Sequence, residues 1–129
     1  MNDAEFEVQK ERFRSLVETW KSRLGLHVWD FEMDWQRGPF EVNGEMTAGI
    51  AGAAIVRWEY VDATLKFNLE SCATLSDEEA ESLVVHELMH VFLKELQHVT
   101  DDWLKHEERV AAMLERAFMF TLKDGAHAS

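Results

Sequence analysis

Residues 86 to 90 read His-Glu-Leu-Met-His. Residues four apart lie one turn apart on the same face of a helix, so the imidazoles of His86 and His90 can reach one ion. Glu87 projects close to that face, and its carboxylate can sit beside the ion without being forced into the coordination shell. That is the position of a general base. A zinc ion held there lowers the pKa of its water from ~16 to ~7, and Glu87 accepts the proton as hydroxide attacks an amide carbonyl. Hydrolysis of a peptide bond is the natural reaction for this donor set.

A five-residue pattern also arises by chance, so its surroundings must decide. From Leu83 to Leu93 every residue except His86, Glu87 and His90 is apolar. Three ionisable side chains in such a helix are costly to bury without partners, and a metal ion with its water satisfies all three. Two core histidines bonded to backbone would explain neither the buried Glu87 nor the spacing.

A catalytic zinc normally takes three protein ligands, and the chain after His90 must supply the third. Val110, Met113, Leu114, Ala117 and Phe118 form an apolar stripe on a last helix, and Glu107 continues it three residues before Val110. Glu107 is therefore expected to point inward. Glu108 is rotated by about 100°, toward Glu115 at the stripe's edge, where solvation is the simpler expectation. Glu107 is the favoured ligand and Glu108 the alternate. His106 and His98 are rivals that would make a three-histidine site, with His106 also a candidate donor to the oxyanion. The extended pattern HExxHxxGxxH is absent, because Leu93 and Leu96 occupy its glycine and last histidine.

These groups need elements to position them. Ser76-Asp77-Glu78-Glu79 is a capping box that opens the motif helix. The last helix should begin between Thr100 and Asp102 and run to about Lys123, before Asp124-Gly125. Upstream, Phe6, Phe13, Leu16, Val17, Trp20 and Leu24 recur at helical spacing, and Gly25 follows where a C-cap glycine belongs. In the next segment Trp29, Phe31, Met33 and Trp35 alternate with acidic residues, the pattern of a half-buried strand. Asn43-Gly44 suits a hairpin turn. A flexible run GIAGAA follows. Val56, Trp58 and Tyr60 then alternate as one strand, and Ala63, Leu65, Phe67 and Leu69 as another. Tyr60, the only tyrosine, fits packing better than polarisation of a carbonyl. Trp29, Trp35 and Trp58 read as core rather than substrate pocket.

With 129 residues, 47% apolar and 29% charged, the chain suits one domain spanning residues 1–129. The net charge of -12 repels phosphate backbones and anionic membranes, so neither nucleic acid nor a membrane is an expected partner. No window approaches the roughly 18 apolar residues of a membrane span. The segment after Met1 has neither a basic nor an apolar leader region, and the single Cys72 can form no internal disulfide. A cytoplasmic setting is expected.

On VVHELMH, on EERVAAMLERAF and on the order helix, strands, helix, helix, the chain resembles the minimal zincin-like metallopeptidases of the gluzincin type, many of them encoded by phages and mobile elements. The resemblance spans most of the chain. It implies an α+β fold: an N-terminal helix, a three- or four-stranded and mostly antiparallel sheet, the HExxH helix and a C-terminal helix bearing a glutamate ligand. It implies zinc on His86 and His90, Glu87 as base and acid, and Glu107 or Glu108 as third ligand. It implies a peptide or protein substrate laid as an extended strand against the sheet edge beside the site, along residues 63–69 or a neighbouring strand. SprT-like proteases are a weaker likeness, since Glu107 stands where they typically have glycine after the third histidine. The alternative function is a zinc-binding zincin-fold accessory or interaction protein with little or no turnover.

Overall fold

The Asn2 side chain accepts from the amide of Glu5 while the Glu5 carboxylate reaches back to the amide of Asn2. This reciprocal cap starts α1 (Asp3–Arg23) in a computed structural model that describes residues 1–42, 45–47, 50–94 and 103–119. Gly25, at φ +71°, supplies the left-handed residue that ends the helix, as its position predicts. Phe13, Val17 and Trp20, spaced four and three apart, are fully or almost fully buried.

Strand β1 (Asp30–Gln36) follows, with Phe31, Met33 and Trp35 packed against the core. β2 (Phe40–Val42) and β3 (Glu45–Thr47) pair antiparallel, as a hairpin requires; the Asn43-Gly44 turn itself lies outside the described residues. β4 (Gly52–Arg57) and β5 (Asp62–Asn68) are joined by one 3-10 turn at Trp58–Tyr60 and by Val61 in the left-handed region. Then come α2 (Leu69–Cys72), α3 (Asp77–Leu93) and α4 (Trp103–Phe118). Among the described residues no helix is long and apolar enough to cross a membrane.

The class is α+β, and the expectations for the sheet, for two strands and for Tyr60 are corrected. The main sheet has the order β1-β5-β4, with β1 parallel and β4 antiparallel to β5, so it is mixed rather than mostly antiparallel. Alternation identifies a strand's buried face but not its neighbour or direction, and a parallel pair needs a long crossover that leaves no local mark. Second, the strand expected to run through Val56, Trp58 and Tyr60 stops at Arg57 and instead takes in Gly52, Ala53 and Ala54. A Cβ on Gly52 would stand 3.3 Å from Leu83 Cδ1 and from the Phe67 ring, so the small residues let β4 approach α3 closely. Tyr60, expected to pack, is 67% exposed beneath the Arg57 guanidinium. Third, the strand expected to reach Leu69 ends at Asn68, and Leu69 opens α2, a helix that the Asn68 side chain caps by accepting from the amide of Ser71. Trp35 behaves as expected, stacked on Phe67 at 5.8 Å between ring centroids, with Trp29 packed at the core's margin.

α3 is the organising element. Its capping box forms as read, with Ser76 Oγ accepting from the amide of Glu79 and the Glu79 carboxylate accepting from the amide of Ser76. Those bonds hold the exposed Glu79 carboxyl below its usual range. Ala80, Val84, Leu88 and Val91 form one buried line toward α1 and the sheet. Arg12 of α1 fixes the approach to this helix by donating to the carbonyls of Cys72 (3.3 Å) and Leu75 (3.0 Å) and to Asp77 (3.1 Å). The sole cysteine, Cys72, is buried; burial pushes its thiol up to about 12, and Arg12 only partly opposes this.

Candidate metal centre

The other side of α3 meets α4 along a polar seam. Ser82 Oγ donates to Glu115 Oε2 at 2.6 Å, His86 stands against Glu115 and Glu108, and His90 against Glu107 and Glu108. Rising numbers on α3 meet falling numbers on α4, so the helices run antiparallel.

The two imidazoles, 5.0 Å apart and nearly perpendicular, turn equivalent edges toward one point. His86 Nε2 lies 2.6 Å from Glu108 Oε1, and His90 Nε2 lies 3.0 Å from Glu108 Oε2. Their other nitrogens face different carboxylates: His86 Nδ1 is 3.2 Å from Glu115 Oε1, and His90 Nδ1 is 3.4 Å from Glu107 Oε1. Ligands each about 2.05 Å from a tetrahedral ion lie about 3.4 Å apart, close to the scale of this cluster. His86, Glu87 and His90 each offer a ligand atom within 4.8 Å of the others, and the group can hold a metal ion. Mixed imidazole nitrogen and carboxylate oxygen suits zinc and its first-row neighbours.

Glu107 points inward as the stripe predicts, its side chain only 4% exposed, whereas that of Glu108 is 61% exposed. Among the described side chains the stripe runs Glu107, Ala111, Leu114 and Phe118, with Ala117 exposed; those of Val110 and Met113 lie outside the described residues. Burial and proximity thus separate. The more buried glutamate sits behind His90, and the more exposed one faces the Nε2 atoms of both rings.

Electrostatics follow from this crowding. Glu87 is 5% exposed, and burial pushes its carboxyl up to about 7; nearby Glu108 and Glu115 add to the rise and His86 opposes it. The contact with Glu115 raises His86 to about 9 against the effect of burial, with Glu87 and Glu108 assisting. Burial alone would raise Glu115, but His86 and Ser82 outweigh it and hold its carboxyl below the usual value.

Glu87, His90, Glu107 and Glu108 line one side of an open cleft of about 530 Å³, and the Gly52–Val56 segment of β4 lines the other. Among the described residues β4 is an edge strand, so this cleft is bounded by a strand paired in the main sheet only on its β5 side. The expected substrate-binding strand at residues 63–69 is instead central, and its neighbour β4 takes the edge position. Tyr60 does not line the cleft. His98 lies outside the described residues, as does the side chain of His106. Sequence reasoning left Ser82 and Glu115 without a role. Their signal was spacing: Ser82 precedes His86 by one helical turn, and Glu115 follows Glu108 by two. No protein-family model, no curated protein and no solved structure matches the chain.

Proposed function

We propose that this protein is a zinc-dependent peptidase in which His86, His90 and Glu108 hold the ion and Glu87 is the general base. The observation that carries the reading is the convergence of both Nε2 atoms on the Glu108 carboxylate, with buried Glu87 lining one cleft together with His90 and Glu108. Glu108 replaces Glu107 as the favoured third ligand on distance, and Glu107 becomes the partner of His90 Nδ1. The likeness to minimal zincin-like peptidases belongs to this proposal, and the order of elements around the site agrees with it.

When bound, the ion supplies Lewis acidity, acidifying water toward neutral pH and polarising an amide carbonyl. The chain's own groups do the rest. A carboxyl with a pKa near 7 can take a proton at the Glu87 oxygens and return it to the leaving amine, and a bound cation would pull that value down into the range of a working base. The edge of β4 offers backbone amides and carbonyls to an extended peptide, and the small side chains at Gly52, Ala53 and Ala54 leave room for it above the helix pair.

A second reading, a zinc-holding interaction protein with little turnover, draws on the four carboxylates around two imidazoles, enough to close a coordination shell. One experiment separates them. Metal content of the purified protein is measured first, and a broad peptide library is then offered to wild type and Glu87→Gln. Stoichiometric zinc with cleavage lost in the variant supports the peptidase, and zinc without cleavage supports the second reading. Absence of stoichiometric metal, or equal cleavage by both forms, overturns the proposal.

A further inference from the structure

We propose that Glu115, held by Ser82, is a positioning residue that fixes the tautomer and ring orientation of His86. The inference rests on the metal-site reading above and assigns a part to two residues which that reading does not use.

The geometry carries it. Ser82 Oγ donates to Glu115 Oε2 at 2.6 Å, which sets the carboxylate plane and leaves Oε1 as the acceptor 3.2 Å from His86 Nδ1. An ionised carboxylate can only accept, so the Glu115 contact puts a hydrogen on Nδ1 and leaves the lone pair of a neutral ring on Nε2, whereas the Glu108 oxygen 2.6 Å from Nε2 favours the opposite tautomer until a cation stands in place of that hydrogen. Nε2 is the atom that faces Glu108. Ser82 and His86 are one turn apart on α3, so hydroxyl, carboxylate and imidazole form a line along the seam. Glu115 is only 15% exposed, and solvent therefore competes weakly for its oxygens. The arrangement is a serine-carboxylate-histidine relay ending at the ligand atom, and such outer partners typically set metal affinity by about 10- to 100-fold. His90 has a looser counterpart in Glu107 at 3.4 Å, with no hydroxyl recorded behind it among the described residues.

The test uses the full chain and zinc alone. Zinc affinity is measured by chelator competition for wild type, Ser82→Ala, Glu115→Gln, Glu115→Ala and Glu115→Leu, each checked for folding by circular dichroism. The His86 tautomer is read from long-range nitrogen-proton spectra of the neutral ring, above its pKa of about 9, in metal-free protein carrying Glu108→Ala in each background, which removes the carboxylate 2.6 Å from Nε2. Glu115→Ala and Glu115→Leu should bind zinc about 10- to 100-fold more weakly and lose the Nδ1-protonated tautomer. Glu115→Gln, whose amide oxygen still accepts, should keep the tautomer and much of the affinity. Ser82→Ala should lose a few-fold. Leucine fills the volume without accepting, so wild-type affinity and tautomer in Glu115→Leu would overturn the proposal. Failure of wild type to bind zinc would instead remove the metal-site reading, and the tautomer comparison would still decide for or against Glu115.

Discussion

The two sides of α3 live under different physics. Toward α1 and the sheet it presents Ala80, Val84, Leu88 and Val91, which keep almost no exposed surface. Toward α4 it presents Ser82, His86 and His90 to Glu107, Glu108 and Glu115. The first side is held by removal of apolar area from water and requires no ligand. The second brings like charges together, and its carboxylates are held by imidazoles whose charge depends on pH. The body should therefore stand alone, whereas the seam should depend on what fills it.

The largest expected effect tests the seam's chemistry: Glu87→Gln should lower peptide cleavage by about 10²- to 10⁴-fold while zinc content stays at the wild-type level. A variant that lost its zinc would make Glu87 a ligand rather than a base. Next, Glu108→Ala should weaken zinc binding by about a thousandfold and Glu107→Ala by about 10- to 100-fold, measured by competition. The reverse order would restore Glu107 as third ligand. On the body side, Leu88→Ala should cost about 2 to 5 kcal/mol in denaturant unfolding with or without zinc. If its effect appeared only in one of the two states, the sides of α3 would not be independent.

A smaller effect distinguishes the seam by sign. In the metal-free protein Glu87 sits near 7, above its ordinary 4.5, and His86 near 9, above its ordinary 6.5, so the folded chain binds more protons than the unfolded one between them. The stabilisation of His86 is complete below about 6.5 and is lost as pH rises through about 9, while the cost of ionising buried Glu87 grows as pH rises through about 7. The metal-free melting temperature should fall by on the order of 5 °C from pH 5 to 9. Saturating zinc should reverse the slope, because ligands must lose protons to bind it. A slope of the same sign in both states would mean that His86 is not a ligand. Smallest of all, Ser76→Ala should remove about 1 kcal/mol by deleting the cap of α3, read from thermal unfolding.

The parts legible in the sequence were those written at short range. The capping box at Ser76 and Glu79, the inward turn of Glu107, the glycine after α1 and the alternation of β1 are each set by neighbours within a few residues. The parallel pairing of β1 with β5 depends on who lies alongside, and alternation is silent on that. β4 was hidden because Gly52, Ala53 and Ala54 look like a flexible run, although their small size serves the approach to α3. The glutamates teach the sharpest lesson. A stripe finds the residue aimed at the core, but the Nε2 atoms of His86 and His90 meet at the rim of the helix interface, within reach of a long side chain from the stripe's border.

Cys72 gives the molecule a clock. Its thiol, on the last residue of α2, is buried in the core with Sγ 3.6 Å from the carbonyl oxygen of Ala51, and its thiolate is strongly disfavoured while it stays there. A small alkylating reagent can mark it only in those moments when the body opens, so the marking rate counts openings on the side of α3 that faces away from the seam. Chelation that emptied the seam and left this clock at its former pace would record, in one covalent signal, a protein that has lost its chemistry and kept its shape.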